Sequence, residues 1–303
     1  MWNLTSVVFA GLCIVHFGKI ALYCLQPALY IFFMNNDQQI FNPFAEPVDH
    51  ILERAGFCSN RAFKAFAKNH QIEIISGETR QSVNHRAALF DNDSDTLLID
   101  GAKIELPAHL YIIFNKPVGA VCSRTSDSHS TVFSLLPPPV KNNAMFKHLH
   151  IAGRLDEQSR GLVFLTTNGA LSNFFISPQS HLPKQYKVAL QNACTPAAQN
   201  EYIKYFCAGI NLAAQKKAPA FTTKPAKLEF DAPDQCTVTI TEGKFHQVRR
   251  MFEALNNTVI DLHRTIIGNI SLPPNLPQGE CALFTREEIN NLLQITASSA
   301  LIP

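Results

Sequence analysis

The 303-residue sequence lacks the spacings that mark metal or disulfide frameworks. Its eight cysteines (Cys13, Cys24, Cys58, Cys122, Cys194, Cys207, Cys236 and Cys281) are scattered, with no C-x-x-C pair and no histidine cluster at ligand spacing. That argues against a zinc site and a disulfide frame, and reduced cytosolic thiols are expected. No phosphate-binding glycine loop is present. Net charge is also scarce: 26 Lys and Arg against 24 Asp and Glu leave +2, too little to announce a nucleic-acid partner by bulk charge. Any such reading has to rest on where the cations sit. Low-complexity tracts are missing, and with 46% hydrophobic and 17% charged residues the chain has the composition of a folded protein.

A clean membrane span is missing too. Residues 4–33 are rich in Val, Ile, Leu, Phe and Ala, and Lys19 is their one full charge. His16, Lys19 and Gln26-Pro27 interrupt the run before it reaches the ~20 apolar residues that a spanning helix needs. A basic start and an A-x-A cleavage signal are both lacking. The expectation is translation from Met34 with no membrane partner; an anchor or signal is the alternative.

What is there divides into segments. Residues 1–46 read as an apolar leader and linker, with Pro43 and Pro47 in a polar stretch of no apolar period. Structure is expected to begin near Val48. Val48, Ile51, Leu52 and Ala55 recur at helical spacing before Gly56, and Ser59 caps a second helix to about Asn69 whose apolar face is Ala62, Phe63, Phe66 and Ala67. Ile72-Glu73-Ile74-Ile75 with Ser76-Gly77, and Thr96-Leu97-Leu98-Ile99 with Asp100-Gly101, are strand and hairpin signals. A helix-helix-hairpin unit over 47–106 fits them.

Beyond Pro107, strands are expected at 110–114, 161–167 (ending in Asn168-Gly169), 185–190 and 236–241. Helices are expected from Thr195-Pro196 to about Cys207, over 245–255, and behind a Thr285/Glu288 capping box through Leu293. Strands in runs favour an α+β class with a mostly antiparallel mixed sheet over 107–296, leaving 297–303 as a tail.

Three clusters carry candidate chemistry. Arg61, Lys64 and Lys68 fall at i, i+3 and i+7, with Arg54 and His70 nearby and no acid between 54 and 71. Such a stripe suits phosphate contacts, and an ordinary solvated helix face leaves the same trace. Ile151-Ala152-Gly153-Arg154-Leu155-Asp156-Glu157-Gln158-Ser159-Arg160-Gly161 places one acid at a loop-to-strand junction among glycines, which fits a covalent or base catalyst and equally an Asx-type turn. The adjacent Asp156 and Glu157 point opposite ways on an extended chain, so they do not make a glycosidase pair.

In Gly243-Lys244-Phe245-His246-Gln247-Val248-Arg249-Arg250-Met251-Phe252, helical spacing puts Phe245, Val248 and Phe252 inward. One arginine then faces a site and the other solvent, although a plain amphipathic helix would look the same. Tyr186 in Lys184-Gln185-Tyr186 suits either base stacking or the core.

Together with Asn115-Lys116-Pro117-Val118-Gly119 and Leu262-His263-Arg264-Thr265-Ile266-Ile267-Gly268, these residues resemble the pseudouridine synthases over about 48–293, specifically the branch acting on small-subunit ribosomal RNA. The front unit resembles that branch's S4-type RNA-binding domain, which gives Arg61, Lys64 and Lys68 an RNA-binding role. The resemblance implies that Asp156 is the catalytic aspartate in cleavage of the glycosidic bond and reattachment through C5. It implies that Tyr186 stacks on the target base, that Arg249 pairs with the aspartate and keeps it ionised, and that Arg154 fills the gap left by the extruded nucleotide. No metal, ATP or redox cofactor is implied.

The expected partner is 16S ribosomal RNA or a small-subunit assembly intermediate, handled by a cytoplasmic monomer. Action on 23S RNA, or a non-catalytic assembly role, is the competing reading. Cys281 and Ala282 depart from the branch, whose members carry a basic or bulkier residue there, so fewer RNA contacts are expected at that edge.

Overall fold

In a computed structural model, residues 42–215 and 218–299 are described, with side chains as far as Leu293, together with the backbone of four leader strands. Those strands, Ser6–Phe9, Leu12–Phe17, Ile20–Cys24 and Tyr30–Phe33, pair in chain order as an antiparallel sheet. The expected start at Met34 lies outside the described residues. Among the described residues no helix is long and apolar enough to cross a membrane.

The unit that carries the functional residues spans 44–292. It begins earlier than the expected Val48: Phe44 is buried, and Glu46–Pro47 pairs antiparallel with Leu89–Phe90. Two prolines masked this onset, because they break period without preventing a short paired segment. Helices Val48–Arg54 and Phe63–Asn69 pack on a sheet ordered Ala102–Lys103, Asp95–Ile99, Ile72–Ser76, Thr79–Ser82, around Val48, Ile51, Leu52, Phe63, Ile72 and Leu97. Asp100 and Gly101 both have left-handed backbones, φ 52° and 81°, which a two-residue hairpin needs.

The second helix starts three residues later than its Ser59 cap suggests, with Ala62 in the capping position. The Ser59 hydroxyl accepts the Ala62 amide at 3.3 Å within a turn, so Arg61 precedes the helix that carries Lys64 and Lys68.

The larger part is a nine-stranded sheet. Its path runs Lys227–Ala232, Gln235–Ile240, Lys184–Leu190, Val259–Ile267, Arg160–Thr166, Tyr111–Lys116, Cys281–Phe284, with His150–Ala152 and Ile270–Ser271 pairing off it. Neighbours are antiparallel except Arg160–Thr166 with Val259–Ile267, so the class is mixed, with helices on a large sheet. Two neighbouring strands, Tyr111–Lys116 and Arg160–Thr166, are buried on both faces, which is why they carry long apolar runs.

The helices differ from expectation in three places. One was not expected: directly after the strand, the Asn168 Oδ1 accepts the Leu171 amide at 2.7 Å and starts Gly169–Ile176, which packs Phe175 against Phe164. The helix expected over 245–255 is Gln247–Glu253, because His246 is left-handed. The last helix runs Arg286–Ser299, past its expected end at Leu293.

Candidate active site

The site is built around residues 153–159, which enter the strand Arg160–Thr166 at its one parallel pairing. Gly161, at φ 105°, opposes Arg264 there, and a Cβ on it would collide with the Arg264 carbonyl and the His263 ring. Only glycine allows the two backbones to close.

Three cations hold the loop by its carbonyls. Lys116, at the end of a fully buried strand, has no exposed surface and donates from Nζ to the oxygens of Pro117 (3.0 Å), Glu157 (3.1 Å) and Ser159 (2.6 Å). Arg264, buried on the neighbouring strand, donates from Nε to Leu162 O (2.9 Å), from Nη1 to Arg154 O (3.2 Å) and from Nη2 to Gly153 O (2.6 Å). Arg249 donates from Nη2 to Gln158 O (2.7 Å) and from Nη1 to Val259 O (2.9 Å). The Leu155 amide donates to Cys122 Sγ at 3.3 Å, and the Asp156 carbonyl accepts the Ser159 amide at 3.1 Å. With the loop's carbonyls so occupied, its acid is presented as a side chain on a fixed backbone: Asp156 keeps 38% of its side chain exposed.

The imidazole of His246 lies beside that carboxylate, its Nε2 3.7 Å from Oδ1. Arg249, which the resemblance pairs with Asp156, grips the loop backbone two residues away and acts on the acid through space. Burial pushes the Arg249 guanidinium down, opposed by the charges of Asp156 and Asp261. Burial likewise lowers Lys116, against the charges of Cys122, Asp156 and Glu157. Lys184 is brought down to about 8 by burial and then by the charge of Arg264.

Other expected residues fall as follows. Arg154 is exposed while its backbone is held by Arg264. Tyr186 is 7% exposed and faces Val238 on one side and Arg264 on the other, with a bulge between Gln185 and Tyr186. Through Arg264 its strand is tied to the loop. Arg61, Lys64 and Lys68 are exposed on the front unit. Of their neighbours, Arg54 is taken by Glu46 at 2.8 Å and His70 by Asp100 at 2.6 Å, so neither adds a free cation to that stripe.

The helical reading of 243–252 needs two corrections. Phe245 is 38% exposed, outside the buried face of Val248 and Phe252, because the helix begins after it. Arg250 does not face solvent either: it is buried, donates to Ala213 O at 2.7 Å and lies over the Phe221 ring.

Sequence reasoning noted Lys116, Arg264 and His246 only as parts of motifs. A signal for Lys116 was available: a lysine ending an otherwise apolar strand can be buried only with oxygens around it.

The family described as RNA pseudouridylate synthase matches residues 110–254. Ribosomal small subunit pseudouridine synthase A of Salmonella typhimurium (strain LT2) is 42% identical over 179 residues, covering 59% of this chain and 72% of that protein. The protein of the same name from Haemophilus influenzae is 34% identical, covering 80% of this chain and 97% of its own. A crystal structure of a pseudouridylate synthase superposes with a TM-score of 0.54 at 33% identity, over 80% of this chain and 97% of that one. Similarity of this extent means that the chain belongs to the RNA pseudouridylate synthase family, beside the ribosomal small subunit pseudouridine synthase A proteins.

Proposed function

We propose that this enzyme isomerises one uridine of 16S ribosomal RNA to pseudouridine, with Asp156 as the reacting carboxylate. The half-exposed acid on a loop held by Lys116, Arg249 and Arg264 carries the reading. The names of the relatives, all ribosomal small subunit synthases, support the choice of RNA. In the reaction the N1–C1′ bond breaks, the uracil turns, a C5–C1′ bond forms, and the C5 proton is lost while N1 regains one. All atoms are conserved. A fixed backbone suits this chemistry, since the acid must keep its place beside the nucleotide while the base rotates.

The uridine has to leave its stack, at a cost of a few kcal/mol. Stacking on Tyr186 offsets that cost, and Arg154, exposed beside the acid, fills the gap. Arg249 supplies positive charge near Asp156. The front unit over 47–106 serves as an S4-type RNA-binding domain, with Arg61, Lys64 and Lys68 on phosphates, and 107–296 forms the catalytic domain of a cytoplasmic monomer.

Purified protein incubated with a 16S transcript, or with a small-subunit assembly intermediate, tests this by mapping of pseudouridine. One new modification is expected. Tight binding without product would leave only a binding role, and product confined to 23S RNA would reassign the substrate.

A further inference from the structure

A second group of basic side chains gathers around Arg124, and isomerisation itself makes no use of it. Arg124 is exposed but not loose: its Nη2 donates to Lys147 O at 2.9 Å and to Leu149 O, and its guanidinium sits 4.5 Å over the Phe133 ring. That anchor gathers Arg124 with the segment carrying Lys147, His148 and His150. Lys147 and His150 are exposed, and His148 is half-buried.

These groups lie within each other's electrostatic reach. Burial lowers His148, and so do the charges of Lys147, Arg54, His150 and Arg124. Burial also lowers His150, with Arg124 and Arg54 adding to it and Glu46 opposing. The acid in reach, Glu46, is buried against Arg54 and His109; Asp127 is exposed in the loop beyond Arg124. Arg124 and Lys147, held beside the two imidazoles, leave a local excess of positive charge that a polyanion neutralises.

Its position gives the polyanion a path. Cys122, two residues before Arg124, receives the Leu155 amide next to Asp156, while Arg54 ends the first helix of the front unit. We propose that Arg124, Lys147, His148 and His150 form a phosphate-binding surface that holds the RNA backbone between the front unit and Asp156. This deepens the reading of the substrate as RNA and rests on it. The two imidazoles, whose charged forms burial and the neighbouring cations disfavour, also offer flat rings on which an unpaired base can stack.

The test uses the full chain and a 16S transcript. Lys147→Glu combined with His150→Glu leaves the Arg124 anchor intact. It should raise KM about tenfold with kcat unchanged, and reduce the slope of log affinity against log salt by about one. Lys227→Glu, on the far edge strand of the sheet, should leave the slope as it is. If thermal unfolding shows the double variant to be misfolded, Lys147→Gln gives the same comparison with a smaller change. An unchanged slope and KM would overturn the surface, and so would a loss confined to kcat. Failure of the wild type to modify the transcript would count against the proposed reaction instead, while the binding slopes would still report on the surface.

Discussion

His246 places its imidazole Nε2 3.7 Å from Asp156 Oδ1 while its own backbone is left-handed, at φ 49° and ψ 30°. A non-glycine residue there costs on the order of 1 kcal/mol, which the fold tolerates where the side chain has a task. His246→Asn separates backbone from side chain, because asparagine adopts this conformation readily. Stability should stay within about 0.5 kcal/mol of wild type. The rate constant kcat should fall about tenfold, equivalent to ~1.4 kcal/mol. An unaltered kcat would remove His246 from the site.

Asp156→Asn keeps the size of the side chain and the Asp156 carbonyl bond to Ser159. Product formation should disappear while RNA affinity persists within about twofold, roughly 0.4 kcal/mol. Quantitative pseudouridine mapping alongside filter binding measures both, and full residual turnover would refute the assignment.

Lys116→Met replaces a buried ammonium with an apolar chain of similar length and strands three carbonyls. Leaving such groups unpaired should cost about 2–3 kcal/mol in urea unfolding. The loop beside Asp156 would loosen as well, so kcat should drop more than KM rises. Equal stability of the variant would mean that water replaces the ammonium without loss.

Glu46 gives the fold an acid-sensitive joint. Burial alone would raise its carboxyl, but hydrogen bonds and charge from His109 and Arg54 outweigh it and bring it from 4.5 down to about 2. Because the folded value is depressed, the stabilisation is present above about pH 4.5 and is lost as pH falls toward 2. Urea unfolding should show about 2 kcal/mol disappearing between about pH 5 and pH 3 through this group, and Glu46→Gln should flatten that part of the profile. A variant with the wild-type slope would place the acid sensitivity elsewhere.

Lys64→Glu with Lys68→Glu reverses two exposed charges on the second front helix. RNA binding should weaken and its salt slope should flatten by about two. Fluorescence titrations at several salt concentrations measure this, and an unmoved slope would deny the front unit its role as an RNA handle.

Local chemistry made much of the fold legible in sequence. Continuous apolar runs gave the central strands, Asp100-Gly101 gave a hairpin, and Thr195-Pro196 and the Thr285/Glu288 box gave two helix starts. The helix Gly169–Ile176 was not legible, because asparagine followed by glycine suits turns and helix caps alike and the eight residues that follow are short for a periodic signal. The acid and Arg249 stood out through motif resemblance. The supports did not, because Arg264 reaches Gly153 across 111 residues and Lys116 reaches Ser159 across 43, and no local pattern encodes those distances.

Burial of Lys116 and Arg264 has a consequence for how the enzyme should respond to ionic strength. Mobile ions weaken a field over about 10 Å of solution at 0.1 M, but they do not enter the interior where these two cations lie. The electrostatic setting of the reaction is thereby insulated from the surrounding electrolyte, while the grip on RNA stays open to it. A chain whose overall charge is only +2 can then hold its acid in a strongly positive frame without becoming a general trap for polyanions.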